Sequence, residues 1–272
     1  MNRGQQLVVV RIAPTRDGLA NPSERLPDKH SRLFCGRTLD EWWAIQSWAS
    51  KHISTSILVG ENQAHFDRLT DLLMPYGITV LARPESMNHP TQDSGGFPCR
   101  FGYQWAKRHV GNINCVITDF VVSPLRKPDD YDRIIEAFCE KMSSPNPDAV
   151  SGIEQMTSAS KTDYWYGAKS GDRLIPLYLS DVPNGRWWPT YVGVGTLGVL
   201  SPRAYEAVNV AGDLHLPAIP NTGPWLFETE EWQEVHIDRP DEWDLAEFWF
   251  QKKIGGIEAY EQYRRSWHGA GD

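Results

Sequence analysis

The sequence predicts an α/β fold: a Rossmann-like, doubly wound, mainly parallel sheet with a small antiparallel insertion. Three observations carry this. Short apolar runs at residues 6–13, 54–59, 78–82 and 113–118 do not alternate, which is the pattern of strands buried on both faces. Helix-period segments separate them, giving β-α-β-α-β-α-β-α, an order that builds a parallel sheet with helices on both faces. After residue 149 the texture shifts to short β-prone pieces (164–166, 174–179, 191–200) punctuated by Gly, Asp, Asn and Pro, so an antiparallel insertion at 155–195 is expected inside a single domain, 1–272.

Each element has a local reason. The first strand stops at Pro14, and a long polar loop leads to Thr38-Leu39-Asp40-Glu41, a capping-box pattern that opens a helix whose apolar face includes Leu39, Trp42, Trp43 and residues 45–48. Phe66, Leu69, Leu72 and Leu73 recur at helical spacing before Gly77 ends that segment. Phe97, Phe101 and Trp105 mark a third helix. Ile134, Ile135 and Phe138 mark a fourth, opening at Pro128-Asp129-Asp130. The final helix starts at Pro240, with Asp241 and Glu242 favoured by the helix dipole and Leu245, Phe248 and Trp249 expected as its buried stripe.

Composition narrows the partners. With 272 residues the chain can bury a sizeable core, and 27 Lys plus Arg against 35 Asp plus Glu leave a formal charge of −8 with no basic block. Nucleic acid and anionic membranes are therefore not expected as partners. Cys35, Cys99, Cys115 and Cys139 show no metal-ligand spacing and read as free thiols in a reducing compartment. The apolar run near the amino terminus is too short for a signal segment or a membrane span, so a cytoplasmic, unanchored protein is expected.

The segment Ser123-Pro124-Leu125-Arg126 lies between the fourth strand and the next helix. Ligands of open α/β sheets bind beyond the carboxyl ends of the strands, where Ser123 and Arg126 suit a phosphate or carboxylate. An ordinary turn with a solvated charge is the competing reading.

Four segments in order extend this: Arg16 with Arg25-Leu26-Pro27-Asp28-Lys29, Tyr76-Gly77 leading to Arg83-Pro84-Glu85, the Ser123 turn, and Ile237-Asp238 before the last helix. Together, over residues 7–250, they resemble the cytidylyltransferases that make CMP-activated acidic sugars, the CMP-sialate and CMP-ketodeoxyoctonate synthetases. The resemblance implies a CTP-dependent enzyme that uses Mg²⁺, transfers CMP to a small acidic substrate and forms a homodimer. It implies nucleotide contacts at Ala13, Arg16, Lys29, His30, Arg83 and Ser94, with Arg16 on phosphate oxygens, Lys29 on the leaving pyrophosphate, and Arg83 and Ser94 at cytosine and ribose. His30 stands where these enzymes have a base-contacting Asn. Asp238 corresponds to their metal-binding aspartate, and a helix cap is its structural alternative. Asp119, at the end of the fourth strand, is a candidate second carboxylate that the resemblance does not assign. In the insertion, Arg186 would clamp the acid substrate, with Tyr191 nearby, and Trp187-Trp188 would serve dimer, sugar or core.

The chain departs from that pattern at several points. Glu24 replaces a lysine of the triphosphate loop, His236 replaces the first carboxylate of an Asp-x-Asp pair, Phe120 replaces a sugar-contacting glutamine, and Glu61 stands where Asp is common. These changes imply an acid other than sialate. They also leave two rivals: a nucleotide-binding homologue without catalysis, and a nucleotide-sugar glycosyltransferase, which would want an Asp-x-Asp motif that Asp119-Phe120-Val121 lacks.

Overall fold

The computed structural model describes residues 7–17, 26, 28–87, 96–143, 152–158, 166–170, 173–177, 190–209 and 225–269. Strands β1 (Val9–Pro14), β2 (Ile53–Gly60), β3 (Thr79–Ala82) and β4 (Cys115–Thr118) are the four apolar runs of the sequence. All four are parallel, in the order β3-β2-β1-β4. The sheet continues through β8 (Thr190–Leu200), β5 (Gly152–Ser158), β9 (Trp225–Glu228), β7 (Arg173–Leu177) and β6 (Tyr166–Ser170). Among these described strands β7 and β8 run against the others, so the α/β class holds and the antiparallel pairing falls where the sequence texture changes.

The pleat sorts β1 by parity. Val10 and Ile12 join Ile57, Val59 and Val116 beneath α3 (Gly96–His109), whose Cys99, Tyr103 and Ala106 are buried there. Ala13, Leu58 and Val80 face α1 (Leu39–Ala49) and α2 (Gln63–Leu73) on the opposite side, which makes the sheet doubly wound. Gly102 lets α3 approach closely: a Cβ there would lie 2.8 Å from Ile12 Cγ2 and 3.2 Å from Val59 Cγ2.

Local signals place the helix starts well. Glu41 N–H donates to Thr38 Oγ1 at 3.2 Å and Thr38 N–H to Glu41 Oε2 at 2.9 Å, the reciprocal box that opens α1. Helix α4 spans Asp130–Met142 and α5 spans Pro202–Asn209. Helix α6 begins at Pro240 and ends at Lys253, but it turns a different face inward. Trp243, Ala246 and Phe250 are buried, whereas Leu245 is 45% and Phe248 51% exposed. The expected stripe is corrected because Trp243 and Phe250 meet Phe34 edge-on at centroid distances of 5.5 and 5.3 Å, which sets the helix rotation.

A further helix, α7 (Ile257–His268), was not expected from the sequence. It lies along the core with Tyr260 wholly buried, its hydroxyl donating to the Arg126 carbonyl; Tyr263 donates to Asp132 at 2.7 Å and Trp267 to the Ala49 carbonyl at 3.1 Å. All four cysteines are free, Cys99 and Cys115 buried, Cys35 and Cys139 partly so. No helix of the described residues is long and apolar enough to cross a membrane.

Candidate active site at the carboxyl ends of β1 to β4

Loops leaving the parallel strands are stitched together at one edge of the sheet. Thr15 N–H donates to the Val59 carbonyl and Arg83 N–H to the Gly60 carbonyl, both at 3.0 Å, tying the exits of β1, β2 and β3. Ile237 N–H donates to the Val122 carbonyl at 2.9 Å, which brings the chain before α6 onto the Ser123 turn. Residues far apart in sequence thereby share one crevice.

Its central contact joins Lys29 to Asp238. Lys29 Nζ donates to Asp238 Oδ1 at 2.6 Å and to the Ile237 carbonyl at 3.0 Å. Asp238 is not the N-cap of α6, which is Arg239, and the backbone N–H groups of Asp238 and Arg239 are received by Glu242 at 2.8 and 2.9 Å. Asp238, one residue before that cap, turns Oδ1 to the Lys29 ammonium.

His236 forms a wall beside this pair. Its Nδ1 lies 3.2 Å from Ser123 Oγ, its Nε2 3.8 Å from Asp238 Oδ2, and its ring stands edge-on to Phe120 at 6.0 Å. Burial, reinforced by the charges of Lys29 and Arg126, lowers the imidazole to about 4 although Asp238 pulls the other way, so His236 is neutral near pH 7. Phe120 and His236 are therefore in contact with each other.

A second cluster lies at the β1 exit. Thr15 Oγ1 donates to Asp40 Oδ1 at 2.7 Å and sits 3.4 Å from His30 Nδ1. Burial pushes Asp40 up to about 7, against the Thr15 hydrogen bond and the charge of Arg68. Burial also takes His30 down to about 3, helped by Lys29, His65, Arg16 and Arg68. Arg16 is exposed at the mouth of this cluster. Arg83, nearly buried at the β3 exit, pairs with Glu61 at 3.4 Å, and Glu61 also receives Asp17 N–H at 3.0 Å. Asp40 and Thr15 were missed by sequence reasoning: Asp40 reads locally as a first-turn acid, and nothing in the sequence aims it back at β1.

Other expected site residues are placed differently. Asp119 is buried, and its carboxylate is committed: Arg11 pairs with it at 2.6 Å, Trp43 Nε1 donates to it at 2.8 Å, and the Tyr131 hydroxyl donates to it as well. Burial opposes ionisation, but Arg11 with these hydrogen bonds holds Asp119 below the usual carboxylate range. The expectation of a metal ligand there is corrected, because a carboxylate saturated by donors in the core has no lone pair to offer. Arg126 has no exposed surface, and its charge acts on Asp130, Tyr131 and Tyr260 as well as on His236, so it lies behind the crevice wall and presents no surface to a ligand. Ala13 is likewise wholly buried and packs in the core, so its methyl is not offered to a ligand. Ser123 is at the crevice. Ser94 and Arg186 lie outside the described residues; Tyr191 belongs to β8, where its backbone pairs with Ser158 and Gly167.

Among the described residues no three His, Cys, Asp or Glu side chains gather into a metal cage. The donor set near Lys29 fits Mg²⁺ as a single carboxylate anchor, Asp238, with ligand phosphates and waters as the remaining donors. A separate hollow bounded by Trp48, Glu261, Arg264, Arg265 and His268 lies by the end of α1, at the opposite edge of the sheet from the crevice.

No family model and no curated protein matches this chain. Solved structures do. One is CMP:2-keto-3-deoxy-manno-octonic acid synthetase complexed with CTP, at a TM-score of 0.63 and 12% identity over 91% of this chain and 100% of that one. A 4-diphosphocytidyl-2C-methyl-D-erythritol synthase from Anaerococcus prevotii aligns at 0.58 and 13% identity over 90% and 96% of the two chains. A cytidylyltransferase from Leptospira borgpetersenii serovar Hardjo-bovis aligns at 0.56 and 12% identity over 97% and 94%. At these identities the likeness is one of fold.

Proposed function

We propose that this protein is a CTP-dependent cytidylyltransferase that transfers CMP to a small acidic substrate and releases pyrophosphate. The observation that carries the proposal is the convergence of Lys29, Asp238 and His30 at the carboxyl ends of β1 and β4, in a fold shared with solved cytidylyltransferases. In the reaction an acceptor hydroxyl oxygen bonds to the α-phosphorus as the bond to the bridging α–β oxygen breaks. The hydroxyl proton leaves to solvent, and pyrophosphate departs with the electron pair. Charge spreads over phosphoryl oxygens in the transition state, so catalysis is chiefly positioning and cation placement.

In this reading Lys29 and Arg16 take the charge of the leaving pyrophosphate. Asp238 would hold Mg²⁺, which when bound neutralises phosphate charge. Lys29, already hydrogen-bonded to the Ile237 carbonyl, would be held within reach of the triphosphate beside Asp238. Arg83 and Ser94 face the cytosine and ribose. Ser123, Arg186 and Tyr191 serve the acceptor, with Arg186 clamping its carboxylate. The His236–Phe120 wall offers no formal charge near pH 7, which favours an acceptor other than sialate. A homodimer and a cytoplasmic location complete the proposal.

The test is pyrophosphate release with each nucleoside triphosphate and Mg²⁺ across a panel of sugar acids and phosphonates, paired with nucleotide-induced shifts in thermal midpoint. Release with CTP and one acid class supports the enzyme. CTP binding with no turnover on any acceptor supports the non-catalytic homologue, a reading that His236 in place of a carboxylate favours. No response to any nucleotide overturns both.

A further inference from the structure

The hydrogen-bond direction in the cluster at the β1 exit has consequences for which base the crevice accepts. A threonine hydroxyl carries one proton. Of the two neighbours of Thr15 Oγ1, Asp40 Oδ1 is at 2.7 Å and His30 Nδ1 at 3.4 Å, so above the Asp40 pKa of about 7 the proton goes to the carboxylate, the shorter and charge-assisted bond. An ionised Asp40 has no proton to return. The Thr15 oxygen then presents only lone pairs to His30, and a contact between that oxygen and Nδ1 is favourable only if Nδ1 carries the hydrogen. A neutral imidazole has a single N–H, which leaves Nε2 a bare acceptor.

Among the described residues the hydrogen-bond partner of the His30 ring is Thr15, at Nδ1, and 7% of the residue remains exposed. We propose that Asp40, acting through the Thr15 hydroxyl, fixes His30 as its Nδ1–H tautomer and so makes the crevice select a nucleobase that offers an exocyclic amino group. This rests on the nucleotide reading above. An Nε2 lone pair accepts a hydrogen bond from the amino group of cytosine and faces the carbonyl oxygen of uracil at the corresponding position, lone pair to lone pair. Asp40 and Thr15 are positioning residues, since neither need touch the base.

The environment supports this assignment. Burial raises Asp40 to about 7, and above that pH the charged carboxylate is favoured by the Thr15 hydrogen bond, by Arg68 on α2 and by the amino end of α1, while Glu41 opposes it. Around His30, Lys29, Arg16, Arg68 and His65 all disfavour the imidazolium, keeping the ring neutral so that the choice is between two tautomers.

Two measurements test the proposal on the full chain, on the alkaline side of the Asp40 pKa. The first is the nitrogen-15 shift pair of the His30 imidazole in the protein without nucleotide, with Thr15→Val to assign and perturb it. The parent should show Nδ1–H, and Thr15→Val should move toward Nε2–H, the usual form in water. The second is binding of CTP and UTP to the parent, Thr15→Val and Thr15→Ser. The preference for CTP should drop about tenfold in Thr15→Val and return in Thr15→Ser, which restores the hydroxyl. If Thr15→Val does not fold, the parent tautomer and the Thr15→Ser preference decide. Nε2–H in the parent, or an unchanged CTP preference in folded Thr15→Val, overturns the proposal and leaves the nucleotide reading standing. Binding of neither nucleotide overturns that reading and the base-selecting role with it, whatever the tautomer.

Discussion

Lys29 and Asp238, 209 positions apart, meet as a 2.6 Å ion pair at the mouth of the crevice, with the lysine 10% and the aspartate 25% exposed at their side chains. Both side chains are partly shielded from water, and the Ile237 carbonyl holds the ammonium in place at 3.0 Å. In the proposed reaction a cation so held would pass to an incoming phosphate.

Asp238→Asn keeps the shape and a hydrogen bond to Lys29 but removes the charge that an ion needs. Turnover is expected to fall by about a hundredfold or more, while CTP binding measured without metal changes by no more than about threefold. Turnover within a few-fold of the parent would remove Asp238 from the metal role. His236→Asp, which returns an oxygen ligand to the site, should keep or raise activity in the same assay.

The Arg11–Asp119 pair predicts a stability effect separate from the crevice. Arg11 is wholly buried between the rings of Trp43 and Tyr131, 4.2 and 4.1 Å from their centroids, and also donates to the Trp43 carbonyl at 2.8 Å. Removing one charge strands the other in the core. Asp119→Leu should lower the unfolding free energy by about 3–5 kcal/mol, and adding Arg11→Met should recover part of that loss. Urea denaturation of the two single variants and the double reads this; additive losses would contradict the pairing.

Gly102→Ala should cost about 1–3 kcal/mol, because its Cβ would meet Ile12 Cγ2 at 2.8 Å and Ile57 and Val59 offer no room to retreat. The helix gains propensity from alanine, so an unchanged or raised denaturation midpoint would mean that α3 does not sit this close to the sheet.

Stability should also carry a pH signature. Asp40 holds its proton up to about 7 in the folded protein against an ordinary 3.8, so its contribution is complete below about pH 4 and is lost as pH rises to about 7. His30, lowered to about 3, and His65 and His236, each lowered to about 4, act in the opposite sense: their contribution is present above 6.5 and is lost as pH falls. Asp40→Asn should therefore gain stability relative to the parent as pH climbs from about 4 to about 7. Urea midpoints of the two proteins across that range check it, and a difference independent of pH would show that Asp40 titrates normally.

Sequence alone determined what is local. Strand positions follow from uninterrupted apolar runs, and the start of α1 follows from Thr38 and Glu41, two residues that satisfy each other's backbone with no outside help. The start of α6 at Pro240 is local in the same way. Helix α7 was missed although its apolar residues recur at helical spacing, and its place is set by hydrogen bonds from Tyr260, Tyr263 and Trp267 to distant segments. Tertiary structure decided the rest, since each remaining feature depends on contacts between segments far apart in the chain. The rotation of α6 was decided by Phe34, so Leu245 and Phe248 face water despite their type. Asp119 and Arg126 carry residue types that suit a ligand. Only packing reveals that one is spent on Arg11 and the other is sealed behind the turn. Lys29 with Asp238, and Asp40 with Thr15 and His30, are pairings across the chain that no spacing encodes, because charge and hydrogen bonding act through space and not along the backbone.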